Sequence, residues 1–195
     1  NAEMRKKCNA LAKEGFIAVC PDLFWRIEPR VQLTDKTDAE WQRAFDFYKK
    51  FDVDKGIQDL RATYHSFKGH AHSTGKVGCV GYCLGGGLTL ATAIRPTSNV
   101  DAVHVYYGGG MPANEQIATI KVPVLGSYGA EDAGIPKEDV DRLRDTLAKA
   151  GVPSEITLYE GAGHAFFNEG RPAYREEQAM DSWMKSTAWF AKYLG

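Results

Sequence analysis

Lys76-Val-Gly-Cys-Val-Gly-Tyr-Cys-Leu-Gly-Gly-Gly87 decides the fold of this chain. An apolar run of strand composition passes, with no polar loop, into a cluster of glycines and then into the apolar residues Leu88 to Ile94. That is the pattern of a buried strand turning sharply into a buried helix. The uncharged span between Lys76 and Arg95 has the length of a membrane helix, but glycines at 78, 81, 85, 86 and 87 would each cost about 1 kcal/mol against alanine in one. The strand, turn and helix are therefore preferred.

The same alternation extends in both directions. Met4, Cys8, Leu11 and Ala12 share one face of an opening helix that Gly15 stops, and Phe16 to Cys20 is a compact apolar run ended by Pro21-Asp22, predicted to be a strand buried on both faces. Leu23 to Lys50 is irregular. It holds Pro29, Thr-Asp steps at 34–35 and 37–38, and the aromatics Trp41, Phe45, Phe47, Tyr48 and Phe51, an excursion that leads into a short helix. Val53, Ile57, Leu60, Tyr64 and Phe67 then recur at helical spacing up to Gly69.

Beyond the turn, Val100 to Tyr107 and Val122 to Tyr128 are apolar strands that each leave through glycine. Pro136 and the acids at 138, 139 and 141 open a helix with the apolar face Val140, Leu143, Leu147 and Ala150, stopped by Gly151. Glu155 to Tyr159 is one more strand, and Met180, Trp183, Met184, Thr187 and Phe190 mark the face of a closing helix. Strands alternating with helices predict an α/β fold, a mostly parallel sheet with helices on both faces. A single domain is expected over 1–195.

Composition narrows the function. With 195 residues, 44% of them hydrophobic, the chain can bury a core, and 24 Lys plus Arg against 25 Asp plus Glu leave a formal charge of −1 and no basic stripe for nucleic acid. Cys8, Cys20, Cys79 and Cys83 contain no Cys-x-x-Cys pair and are too sparse for a disulfide scaffold, so a reducing, cytoplasmic setting is expected. Arg5, Lys6 and Lys7 precede no long apolar core, so neither a secretory leader nor a membrane anchor is expected there. His70 and His72 have no acid or thiol nearby in sequence, and no metal is expected. Cys8, Cys20, Cys79 and His104 are expected in the core.

Gly81-Tyr82-Cys83-Leu84-Gly85 has the form glycine-x-nucleophile-x-glycine at a strand-to-helix turn. So tight a turn holds its central residue in an unfavourable backbone region, and small neighbours two positions away relieve the crowding. Cys83 is thereby pushed out at the sheet edge, at the positive end of the following helix, which favours thiolate over thiol. The Leu84 N–H is placed to hold an oxyanion. A thiolate needs a base, and the base an orienting acid. His164 follows one strand in Gly161-Ala-Gly-His-Ala, and Asp132, with Glu131 beside it as competitor, follows another in Gly129-Ala-Glu-Asp. Nucleophile, acid and histidine thus stand in that order at the carboxyl ends of predicted strands, where open α/β sheets carry their sites.

In Gly81-Tyr-Cys-Leu-Gly-Gly86, Val19-Cys-Pro-Asp-Leu23, Gly75-Lys-Val-Gly78, the Gly129 to Pro136 loop and Glu160-Gly-Ala-Gly-His-Ala-Phe166, the chain resembles the dienelactone hydrolase family of α/β hydrolases, over essentially its whole length. The resemblance implies a Cys83, Asp132, His164 triad and hydrolysis of an enol lactone or activated carboxylic ester through a thioester, with no metal or organic cofactor. It implies two or three strands ahead of the opening helix, supplying a second oxyanion donor and a glutamate near the thiol, so an N-terminally incomplete domain is expected. The family's carboxylate-holding arginines fall in register with Trp41 and Asn168, with Arg43 and Arg171 nearest to them. Trp41, Arg43, Phe45, Tyr48, Phe166 and Asn168 are therefore the substrate-binding candidates, their aromatics suited to a flat or apolar acyl group. A small-molecule lactone or ester is the expected partner of a monomer or weak homo-oligomer. The alternatives are a non-catalytic or redox-sensing member of the fold and a DJ-1-like or glutamine amidotransferase-like cysteine enzyme; the His-x-Glu pattern of the amidotransferases is lacking in His164-Ala-Phe166.

Overall fold

The opening amphipathic stretch forms helix α1 (Ala2–Lys13) in the computed structural model, which describes residues 1–34 and 36–195. Asn1 caps it by accepting the Met4 N–H, and Gly15, at φ +92°, redirects the chain after its last turn. Met4, Cys8 and Leu11 are only half-buried and Ala12 is exposed, so the covered face is shallow.

The strand expected at Phe16–Cys20 is absent. A strand persists through the neighbour that takes its N–H and C=O groups, and no described segment pairs with this one. Ile17 is 46% exposed and Val19 42%, and Cys20, expected in the core, is exposed as well. The Thr34-Asp35 step reaches outside the described residues. Thr37, in the second step, caps α2 (Asp38–Lys50) by accepting the Glu40 N–H at 3.2 Å. Of the α2 aromatics only Phe47 is buried, against Phe24, which Phe51 also meets.

Helix α3 (Val53–Lys68) buries Ile57, Leu60 and Tyr64 and leaves Val53 exposed. Within it the chain passes between two compact units, Asn1–Thr63 and Tyr64–Gly195.

The second unit holds the sheet: β1 (Gly78–Tyr82), β2 (Ala102–Tyr106), β3 (Val124–Gly129) and β4 (Ser154–Tyr159), hydrogen-bonded in that order and parallel throughout. Every residue of β2 and β3 is buried, as continuous apolar runs inside a covered parallel sheet should be. The register sets Tyr82 opposite Tyr106 and Tyr106 opposite Ser127, so the carboxyl ends of β1, β2 and β3 form one edge.

The connecting helices are α4 (Leu84–Ile94), a short α5 (Asn114–Ile117) that the sequence pattern did not announce, α6 (Lys137–Lys149) and α7 (Glu176–Leu194). In α6, Val140, Leu143 and Leu147 are buried, Pro136 stands at the cap position just before the first turn, and Gly151, at φ +69°, follows the end. The face expected of α7 is corrected. Met180 and Met184 are 57% and 58% exposed, and the buried stripe is Ala179, Ser182, Ser186, Trp189 and Phe190. Small residues let the helix approach β2 closely enough for the Ser182 carbonyl to accept the Tyr106 hydroxyl at 3.0 Å.

His104 is a core group, as expected. Its Nε2 lies 2.9 Å from Ser127 Oγ, its Nδ1 has no partner among the described residues, and burial holds its pKa well below the usual histidine value. Cys79 is half-buried, with its sulfur 3.3 Å from Thr89 Oγ1. No helix among the described residues is long and apolar enough to cross a membrane.

Candidate active site

Cys83 stands between β1 and α4 at φ +55° and ψ −115°, a backbone region that residues with a Cβ seldom occupy. Its N–H donates to the Tyr106 carbonyl at 3.2 Å and its own carbonyl accepts the Gly87 N–H at 3.1 Å, so the turn is pinned on both sides. A Cβ at Gly81 would collide with the Gly85 carbonyl and Thr89 Oγ1, and one at Gly86 would come within 2.5 Å of the Tyr106 oxygen. Gly81 and Gly86 are the most crowded of the elbow glycines, and a Cβ at Gly87 would also come within 2.9 Å of the Gly109 carbonyl oxygen. Gly85, to which spacing assigned the role of small neighbour, has open space where a Cβ would go.

The loops after β3 and β4 are stitched together by backbone. Glu131 N–H donates to the Ala162 carbonyl and Ala130 N–H to that of Tyr159, both at 2.9 Å, while Gly129 leaves no room for a Cβ against Ala162. Asp132 is thereby set beneath His164. Its side chain is only 2% exposed, its Oδ1 accepts the Gly134 N–H at 2.9 Å, and its Oδ2 lies 2.7 Å from His164 Nδ1. A carboxylate only accepts, so Nδ1 carries the proton. His164 Nε2 then faces Cys83 Sγ at 3.2 Å. Glu131, the competing acid, is exposed.

The electrostatics follow from this row. Hydrogen bonding to Asp132 and then to Cys83 pushes the His164 pKa up to about 10 against its partial burial. The Cys83 thiol is lowered, first by the His164 hydrogen bond, with the Leu84 N–H and the positive charge of Arg171 adding to it and burial opposing. Both shifts run toward a thiolate facing an imidazolium.

The substrate-binding candidates fall differently. Trp41, Arg43, Phe45 and Tyr48 belong to α2 in the first unit, where Trp41 and Phe45 stack at 5.7 Å and Arg43 pairs with Glu28. Phe166, a substrate-binding candidate, lies in the core. It is fully buried, against Tyr159 at 5.2 Å and Tyr107 at 5.6 Å between ring centroids, and does not face an open surface. Asn168 closes its own turn by accepting the Gly170 N–H.

Sequence reasoning missed Tyr107, whose ring meets the His164 imidazole edge to face at 5.1 Å. The available signal was its place at the carboxyl end of a strand, ahead of Gly108, Gly109 and Gly110.

A parallel sheet with a cysteine on the turn after β1 and an acid and a histidine on the loops after β3 and β4 defines an α/β-hydrolase type of fold. A sequence profile of the Dienelactone hydrolase family matches residues 1–194. The chain is 34% identical over 197 residues to a Methylorubrum extorquens protein assigned as a carboxymethylenebutenolidase, over 95% of this chain and 66% of that one. It is 32% identical over 175 residues to the carboxymethylenebutenolidase of Pseudomonas putida, over 89% of this chain and 73% of that one. A solved structure from Klebsiella pneumoniae subsp. pneumoniae, assigned to the dienelactone hydrolases, superposes with a TM-score of 0.85 at 29% identity, over 99% of this chain and 82% of that one. The chain belongs to the dienelactone hydrolase family, a family of hydrolytic enzymes.

Proposed function

We propose that this chain hydrolyses an enol lactone or an activated carboxylic ester through Cys83, His164 and Asp132. The observation that carries the proposal is the continuous row from Asp132 Oδ2 through both nitrogens of His164 to Cys83 Sγ, with spacings of 2.7 and 3.2 Å. In the first step the Cys83 thiolate, its proton held on His164 Nε2, attacks the carbonyl carbon. The Leu84 N–H, already directed at the cysteine, holds the negative oxygen that forms. Collapse breaks the carbon–oxygen bond, the alkoxide or enolate leaves with the His164 proton, and the acyl group stays on sulfur as a thioester. His164, now neutral, removes a proton from water, which attacks the thioester and frees the acid. Asp132 holds the imidazole tautomer throughout and supports its positive charge whenever it carries the extra proton.

A thiolate attacks well but also leaves well. Enol lactones and aryl esters, whose leaving anions are stable, therefore suit the site better than amides. Likeness to carboxymethylenebutenolidases supports a lactone substrate. Trp41, Phe45 and Tyr48 remain the candidates for an apolar acyl site, with Arg43 and Asn168 as the polar candidates.

The test is hydrolysis of p-nitrophenyl acetate by wild type and Cys83→Ala. Loss of at least about a thousandfold in kcat/KM is expected for the variant, since removing a nucleophile that acts together with its base costs on the order of 10⁶-fold in kcat. Equal rates in the two proteins would end the hydrolase reading and favour a reactive thiol that reports and does not turn over.

A further inference from the structure

Tyr107 adopts φ +36° although it carries a Cβ, a conformation that costs about 1–3 kcal/mol and persists only where its surroundings over-determine it. Those surroundings are on both sides of one peptide. The Tyr107 N–H donates to the Ser127 carbonyl at 2.9 Å, and the carbonyl of Tyr106 accepts the N–H of Cys83 at 3.2 Å. Gly86 approaches the same turn so closely that an added Cβ would lie 2.9 Å from Gly108 Cα. The Tyr107 side chain is 2% exposed, its ring edge to face with His164 at 5.1 Å and with Phe166 at 5.6 Å. One dipeptide thus touches the nucleophile's backbone with its first residue and the base's ring with its second.

We propose that the Tyr106–Tyr107 turn is the positioning element of the Cys83–His164 pair, the Tyr107 ring steadying the imidazole in its charged form. The proposal rests on the thiolate–imidazolium reading above. The two rings meet at 61°, and on this reading it is the Tyr107 face, which carries negative charge, that is turned to the imidazole edge, where it attracts a cation more than the neutral group it replaces. Facing His164 are Asp132 from the loop after β3, Cys83 from the turn after β1 and Tyr107 from the end of β2, with the charge of Arg171 also felt at Cys83 and Tyr107. Burial pushes the Tyr107 hydroxyl pKa up, so the ring stays neutral while the other groups titrate. Favouring imidazolium also favours the thiolate opposite it. Tyr107 is a positioning residue, acting through His164.

The experiment measures the rate of Cys83 alkylation by iodoacetamide against pH in wild type, Tyr107→Phe, Tyr107→Leu and His164→Ala, beside kcat and KM for p-nitrophenyl acetate. Tyr107→Phe keeps the ring and is expected to overlay wild type. Tyr107→Leu is expected to move the alkylation midpoint upward, lowering the thiolate fraction at fixed pH by about three- to tenfold, and to lower kcat comparably with KM unchanged. A leucine profile that overlays wild type, with or without a lower melting temperature, would overturn the proposal and leave the dyad intact. If His164→Ala also overlays wild type, the thiolate–imidazolium reading itself fails and carries this proposal down with it. Should Tyr107→Leu not fold, NMR of the wild-type His164 ring decides the matter: a ring-current displacement of its carbon-bound protons supports the contact, and its absence overturns it.

Discussion

The two units differ in what they hold within themselves. Tyr64–Gly195 contains four paired strands, a wholly buried central strand pair, and all three members of the Cys83, His164, Asp132 row. Asn1–Thr63 contains helices, an apolar run that pairs with nothing described, and Trp41, Phe45 and Tyr48 exposed along one helix. In the second unit each group that orients another is itself oriented. Asp132 is fixed by Gly134 and its loop by Ala162, and Cys83 is fixed by Tyr106. Precise chemistry needs such closure, since a misplaced base costs orders of magnitude in rate. The first unit has closed groups of its own, Asp59 held by both Trp25 and Arg26, but no member of the row.

If catalysis is contained in the second unit, the largest effect after loss of Cys83 itself belongs to the least exposed member of the Cys83, His164, Asp132 row. Asp132→Asn keeps the shape but offers a donor or a weaker acceptor to Nδ1, so the tautomer is no longer set. A fall of about 10⁴-fold in kcat is expected with little change in fold, of the size found when the acid of such a triad is made an amide. Steady-state kinetics with circular dichroism checks it, and a loss below tenfold would separate the geometry from the chemistry.

The next effect in size concerns packing and sharpens the same contrast. Leu143, in α6, is fully buried, whereas Leu11, in α1, is half-buried. Leu143→Ala is expected to cost about 2–5 kcal/mol, and Leu11→Ala less than half of that, both read from urea unfolding. Equal losses would mean that the first unit packs as tightly as the second.

A smaller effect is the pH dependence. In a Cys83→Ala background the imidazole still has its Asp132 partner, so its folded-state pKa is raised and it binds its proton more tightly in the folded than in the unfolded chain. The stability this contributes is whole below the ordinary histidine value of about 6.5 and is lost as pH rises through the raised folded value. The urea midpoint of Cys83→Ala, relative to the Cys83→Ala/His164→Ala double variant, should therefore fall from pH 6 toward alkaline pH. A difference that grew with pH would reverse the assignment of the charged form.

The same contrast explains what the sequence made legible. The elbow was readable because its cause is local: glycines crowd one turn, and the apolar runs on either side change period across it. That Asp132 and His164 come within reach of one another and of Cys83 was readable because all three follow strands at one edge. Phe16–Cys20 has the composition of a buried strand, but strand pairing depends on a neighbour that its own residues do not encode. On α7 the large residues Met180 and Met184 suggested the covered face, whereas close approach to β2 selected Ala179, Ser182 and Ser186. Size of side chain and closeness of packing point opposite ways there. Gly85 and Gly86 could not be told apart by spacing either, because what distinguishes them is the Tyr106 carbonyl, 20 residues further on in the chain. Tyr107 escaped for the same reason: its importance lies in a ring-to-ring contact with a residue on another loop.

The smallest expected effect on stability tests the aromatic surface of α2. Phe45 and Tyr48 are 51% and 57% exposed, so truncating them removes little buried area, and Phe45→Ala and Tyr48→Ala are each expected to change stability by no more than about 0.5 kcal/mol. Their kinetic effect separates two roles. Side chains that only hold the acyl group bind ground state and transition state alike, so their loss raises KM and leaves kcat unchanged. That result, obtained with an aromatic acyl ester and absent with the acetate, would support Phe45 and Tyr48 as acyl-binding candidates. A fall in kcat with both esters would instead show that these side chains do more than bind, and their reading as acyl-binding candidates would have to be abandoned.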